Sequence, residues 1–154
     1  MDDLAKKCLT RLQRLCSKAE YCEADVYRKA LKQLEGDAAA AAEVVASLVE
    51  DRYVDDARYA SAYAREKAGI QGWGPIKIRF QLRAKGVKDA LITEALEEIE
   101  PEKADSKLDK LLQAKSRSLE GDPEIRLKLL KFGLSRGYNY DDVEASLARI
   151  KNNS

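Results

Sequence analysis

Apolar positions along this chain recur at intervals of three and four, with charged residues filling the gaps, the spacing of a helical face. Over residues 2–19, Leu4, Cys8, Leu12, Leu15 and Ala19 form one such stripe among Lys and Arg, and Asp2 and Asp3 suit a helix start. A second helix is predicted from about Glu23 to Leu34, with Val26, Ala30, Leu31 and Leu34 inward and a stop at Gly36. Asp37 is placed to cap a third, in which Ala41, Val44, Val45, Leu48 and Val49 make the apolar face.

The pattern then returns. Asp55 is the expected cap of a helix running to about Ala68, with Tyr59, Ala60, Tyr63 and Ala64 paired along it. Residues 69–74 interrupt it, and Pro75 stands at the first helical position, where Pro is best tolerated. That helix is expected to reach Gly86. The next, from about Lys88 to Ile99, is expected to bury Leu91, Ile92, Ala95, Leu96 and Ile99, and Pro101 to close the unit. A third unit opens near Glu102 with Leu108, Leu111, Leu112, Ser116 and Leu119 on one side. Asp122-Pro123 marks the following start, with Ile125, Leu129, Leu130 and Leu134 inward and an end at Gly137. Asn139 caps a last helix, with Asp141 and Asp142 in its first turn and Val143, Leu147 and Ile150 inward.

Three landmarks repeat at nearly one period. The helix ends Lys18-Ala19, Lys67-Ala68 and Lys115-Ser116 lie 49 and 48 residues apart, and Gly36, Gly86 and Gly137 lie 50 and 51 apart. The pairs Val44/Leu48, Ile92/Leu96 and Val143/Leu147 lie 48 and 51 apart. The expected architecture is therefore all-α: three tandem three-helix repeats over 1–50, 51–101 and 102–154, in an elongated, modular arrangement. One segment disputes the helical reading. Residues 76–82 alternate apolar and polar, the template of a half-buried strand. No other stretch offers a partner strand, so a helix is expected.

Composition narrows the chemistry. The 154 residues are 45% apolar and 36% charged, with aromatics at 6%, which suits a helical protein with a thin aliphatic core. No apolar run is long enough to span a bilayer, and the first residues do not read as a secretory signal, so a cytoplasmic protein is expected. There is no His, so the commonest acid–base catalyst near neutral pH is missing, and the expectation is a protein that is not an enzyme. Cys8, Cys16 and Cys22 fit no zinc spacing and are expected as free thiols; neither a metal nor another cofactor is expected. Asp55-Asp56 reads as a cap and a helix-dipole partner rather than a metal site, and residues 69–75 lack the ending of a phosphate loop.

The net charge of +1 conceals a division. Residues 58–88 carry eight cations and one acid, a balance of +7, whereas 89–109 carry eight acids and two Lys, a balance of −6. As a helix, 75–84 places Ile76, Phe80 and Ala84 on one face and Ile78 and Leu82 on another, with Arg79 and Arg83 together between them. Both apolar faces are expected to be packed, leaving a basic ridge. That ridge faces either phosphates or an acidic partner, or the chain's own acidic segment, and charge pattern alone weighs these equally. Trp73 between Gly72 and Gly74 suits a binding hot spot, but more often such a Trp plugs a loop onto its own core. Tyr53, Tyr59 and Tyr63 suit base stacking, although helical spacing favours packing for at least two.

The segments 53–60 (YVDDARYA) and 74–87 (GPIKIRFQLRAKGV) resemble the central signature of RecX, the bacterial regulator of the RecA recombinase. The likeness in specific residues covers roughly 53–87. The first unit lacks much of the basic character usual there in the family, which weakens any carry-over to it. The resemblance implies three tandem three-helix repeats and a regulator without enzymatic activity. Such a regulator lodges in the groove of the RecA–single-stranded DNA filament and limits its growth, strand exchange, ATP hydrolysis and repressor cleavage. With the basic face of the second unit as the main contact, the expected contacts are Arg58, Arg65, Lys67, Lys77, Arg79, Arg83 and Lys85, followed by Trp73 and Tyr59. Lys115, Arg117, Arg126, Lys128, Lys131 and Arg136 are secondary candidates. A monomer is expected, with weak direct DNA contact at most. The alternatives are a helical module acting directly on nucleic acid and a protein-interaction scaffold.

Overall fold

The computed structural model describes residues 1–152, and among them every regular element is a helix. The helices are α1 (Asp3–Lys18), α2 (Glu23–Gln33), α3 (Ala38–Glu50), α4 (Asp56–Gly69), α5 (Pro75–Ala84), α6 (Asp89–Glu97), α7 (Pro101–Ser118), α8 (Ile125–Ser135) and α9 (Tyr140–Asn152). The chain divides into two compact units: 1–62 with 82–92, and 63–81 with 93–154. Helices α4, α5 and α6 each contribute residues to both.

In the first unit α1, α2 and α3 pack on one another. Asp2 accepts from the Ala5 backbone N–H at 2.8 Å and Asp37 from Ala40 at 3.0 Å, the local bonds that satisfy otherwise unpaired helix-start amides. The core gathers Ala5, Cys8, Leu12 and Cys16 of α1 with Val26, Ala30 and Leu34, and with Ala41, Val44, Val45 and Leu48 of α3. The middle of the expected stripe, Cys8, Leu12 and Leu15, packs inward, but its ends differ: Leu4 is 44% exposed and Ala19 is exposed, while Ala5 and Cys16 are inside. Val49, at the end of α3, is likewise exposed. Burial pushes the thiols of Cys8, Cys16 and Cys22 up, so they stay protonated and inert.

In the second unit α7, α8 and α9 pack around Leu108, Leu112, Leu129, Tyr138, Val143 and Leu147. Pro101 begins α7 instead of closing the preceding unit, because its missing N–H costs nothing at a first helical position. The Asp122 carboxylate accepts from the Glu124 N–H at 2.8 Å, but α8 starts only at Ile125 after a turn. Asn139 caps α9 through the Asp142 N–H, also at 2.8 Å. Leu134, expected inward, is 42% exposed; α8 instead turns the buried Gly133 toward Val143, where an added Cβ would lie 2.7 Å from a Val143 methyl. Close backbone approach replaces side-chain burial there.

The helices end where the glycine spacing foretold, by a common device. Gly86 (φ 81°) and Gly137 (φ 96°) are left-handed. Around Gly86 the bonds are Gly86 N–H to Arg83 O and Val87 N–H to Leu82 O; around Gly137 they run from Gly137 to Leu134 and from Tyr138 to Gly133. This paired pattern is a Schellman motif, with the helix stopping two residues before the glycine. At the end of α2 the same bonds run from Glu35 to Lys32 and Gly36 to Leu31, so the left-handed turn starts one residue early, on Glu35 (φ 56°). Arg52 (φ 62°) occupies that position after α3.

Candidate functional site

Residues 76–82 are helical despite their alternation. Pro75 supplies a preset φ, and the Schellman turn at Gly86 stops the helix. Ile78 and Leu82, four apart, are both fully buried. The opposite apolar face is open: Ile76 is 57% and Phe80 68% exposed, and Ala84 is also exposed. The expectation that both faces are packed is therefore wrong. On a helix, alternate residues fall some 200° apart, so a neighbour that covers Ile78 and Leu82 leaves Ile76 and Phe80 outside.

Intramolecular partners hold much of the basic ridge. Arg79 donates to Thr93 Oγ1 at 3.1 Å, and Arg83 meets Asp89 at 2.7 Å, which pushes its guanidinium pKa up. Lys85 lies 3.1 Å from Asp25. Burial pushes the Asp25 carboxyl up, but hydrogen bonds from Lys85 and Cys22 and the nearby cations outweigh it and hold the carboxyl below its usual range. Arg58, in the first turn of α4, pairs with Glu20 and donates to the carbonyls of Arg52 (3.1 Å) and Tyr53 (3.3 Å). It braces the turn after α3. The guanidiniums of the ridge thus have internal partners, and Arg83 is exposed beside its own.

The second unit holds an aromatic–cation cluster. Trp73 is half-buried and meets Tyr63 edge-on, with ring centroids 6.4 Å apart. Lys67 Nζ lies 4.9 Å from the Trp73 ring centre and 5.4 Å from that of Tyr63; Lys77 Nζ lies 4.4 Å from Trp73. The loop carrying Trp73 is fixed by backbone bonds, Gly74 N–H to Arg136 O at 2.8 Å and Ile76 N–H to Gly137 O at 3.0 Å, and by the Arg136 guanidinium on Gln71 O. A Cβ on Gly74 would stand 2.4 Å from Gly137 backbone atoms, so only glycine permits this approach. Trp73 is therefore held in place by its own unit.

The remaining candidates are dispersed. Arg65 is exposed and Tyr59 half-buried. Lys115 and Arg136 lie over Phe132, at 5.4 and 5.9 Å. Arg126 pairs with Glu144, and Lys128 with Asp122 at 2.5 Å, while Arg117 and Lys131 are exposed. Arg58, Arg83 and Lys85 belong to the first unit, and Arg65, Lys67, Trp73, Lys77 and Arg79 to the second. Sequence reasoning missed the solvent-facing Ile76 and Phe80. The signal was present in the alternation, read as helix: it demands two apolar faces on a ten-residue element. Among the described residues no cluster of His, Cys, Asp or Glu suits a metal, and no helix is long and apolar enough to cross a membrane.

Among the described residues the protein is all-helical, and its helix α5 carries an exposed apolar pair, Ile76 and Phe80, among cations. Residues 55–96 match the family described as RecX, second three-helix domain, and the chain is similar to RecX regulatory proteins over most of its own length. It is 33% identical over 123 residues to the regulatory protein RecX of Bacillus mycoides (strain KBAB4), a match covering 79% of this chain and 46% of that protein. Its identity to the RecX of Bacillus thuringiensis (strain Al Hakam) is 32% over the same length. The chain thus spans about half the length of these curated relatives. A crystal structure of RecX from Lactobacillus salivarius superposes with a TM-score of 0.84 at 21% identity, covering 98% of this chain and 99% of that one, and shows the shared fold. A crystal structure of a regulatory protein RecX gives 0.85 at 25% identity, over 97% of this chain and 72% of that one.

Proposed function

We propose that this protein regulates RecA by binding the RecA–single-stranded DNA filament through the outer face of α5 and the cations around it, and lowers the filament's recombinase, ATPase and coprotease activities. The observation that carries this reading is the exposed Ile76/Phe80 pair beside a basic stretch, within the domain that matches the RecX family. A solvent-facing Phe and Ile on one short helix are anchors for a partner surface, and the adjacent cations suit an acidic or phosphate-bearing rim. Lys77, Arg79 and Arg83 flank the pair on α5; Arg65, Lys67 and Trp73 extend the surface on α4 and the following loop. Arg58, Tyr59 and Lys85, in the first unit, supply further contacts. Lys115, Arg117, Lys131 and their neighbours supply secondary contacts.

The chain acts in the cytoplasm as three three-helix repeats, 1–50, 51–101 and 102–154, without catalytic chemistry of its own. Co-sedimentation with RecA-coated single-stranded DNA, beside bare DNA and RecA without DNA, tests the partner. Retention on the filament at concentrations where bare DNA retains little is the expected result. Equal retention on bare DNA, falling steeply with salt as counterions are released, would instead mark a direct nucleic-acid binder.

A further inference from the structure

Within the second unit, a cavity of about 550 Å³ opens between the last turns of α4 and the first three turns of α7. Its floor is apolar, from Ala68, Ile99 and Ala104, and its wall is cationic, from Arg65, Lys103, Lys107 and Lys110. The three lysines stand at i, i+4 and i+7 on α7, one stripe of like charge that an isolated helix disfavours. On the far side of the same helix Leu108 and Leu112 enter the core, so the stripe is fixed outward. Lys103 reaches Glu100 at 3.9 Å, whereas among the described residues Arg65, Lys107 and Lys110 are paired with no carboxylate. Arg65, Lys103, Lys107 and Lys110 outnumber the two glutamates that line the same cavity, and together they suit several closely spaced negative charges.

The surroundings limit the form those charges take. Glu98 and Glu100 also line the cavity, and Glu97, Glu102 and Asp105 adjoin it along the chain. A polyanion running past would meet this acidic border, while a compact ligand seats its phosphates on the lysines and stays clear of it. The volume lies in the range of small-ligand sites. The apolar floor offers a surface for a flat ring, and the carboxylates at the edge accept from exocyclic amino groups. We propose that this cavity binds a free nucleoside polyphosphate, with its phosphates on Arg65, Lys103, Lys107 and Lys110 and its base over Ala68, Ile99 and Ala104.

The test uses the full chain without RecA or DNA filament, so its outcome is independent of the regulatory reading. A fluorescent ADP derivative is titrated with the protein, and unlabelled ADP, ATP, adenosine and a dT oligonucleotide are used as competitors. Saturable binding is expected, displaced by ADP and ATP but not by adenosine, and weakened about tenfold or more in a Lys103→Gln/Lys110→Gln variant, as befits the loss of two charge-assisted contacts. Both lysines are exposed, and an unchanged melting curve verifies that the variant is folded. No saturation at millimolar nucleotide would overturn the proposal. So would unchanged affinity in the folded variant, or an oligonucleotide that competes better than ADP at equal phosphate concentration.

Discussion

Glu35 and Arg52 occupy left-handed turn positions that Gly86 and Gly137 fill elsewhere in the chain. A Cβ in that conformation costs roughly 1 kcal/mol or more, so Glu35→Gly should raise the stability by about that amount, read as a higher melting temperature. Gly137 is the opposite case. Its φ is 96°, and an added Cβ would lie 2.3 Å from Lys77 Cβ, so Gly137→Ala should cost on the order of 2–4 kcal/mol in denaturant unfolding. Asp109 supplies the pH dependence. Burial pushes its carboxyl up, but hydrogen bonds from Arg149 and Ser146 and the Arg149 charge outweigh that and hold it below the usual range. A depressed carboxyl stabilises the fold above its unfolded pKa of about 3.9 and ceases to do so as pH falls through the folded value. Asp109→Asn should therefore lower stability at pH 7 and flatten its decline below about pH 4; an unchanged acid limb would show that other carboxylates govern it. The caps Asp37, Asp55 and Asn139 were legible residue by residue, because an N-cap is a local bond. The left-handed Glu35 and Arg52 were not, since neither residue type announces that conformation.

At the scale of the element, α5 decides the reading of the site. Its period-two alternation looks like a strand, and the flanking Pro75 and Gly86 tip it to a helix, an outcome accessible from sequence. Which of its two apolar faces would be covered was not accessible, because that depends on neighbours distant along the chain. The two faces give a paired prediction. Leu82→Ala should destabilise by roughly 2–5 kcal/mol, as expected for a fully buried Leu, whereas Ile76→Ser with Phe80→Ser should change stability by about 0.5 kcal/mol or less. Chemical denaturation of both variants checks it, and a large loss in the Ser pair would mean that this face is packed after all. Similarly, the apolar stripe of α1 was recognised by its period, with Cys8, Leu12 and Leu15 inward, but its ends were misassigned, Leu4 in place of Ala5 and Ala19 in place of Cys16. Spacing identifies a face; its edges are set by what lies opposite.

At the scale of the whole molecule, the near-zero net charge conceals a basic segment followed by an acidic one. Some of that opposition is spent internally, in Arg83–Asp89, while Arg79 donates to the neutral Thr93 hydroxyl. Substituting these arginines would disturb the fold as well as any partner contact, so the open Ile76/Phe80 face is the cleaner probe of function. The central claim is that this face engages the RecA filament. It is tested most directly by the ATPase rate of RecA-coated single-stranded DNA as the protein is added, beside the Ile76→Ser/Phe80→Ser variant. The account predicts that the wild-type chain lowers the rate and that the folded variant needs at least about tenfold more protein, the equivalent of roughly 1.4 kcal/mol of lost anchoring. A wild-type chain without effect, or a variant as potent as the wild type, would contradict it.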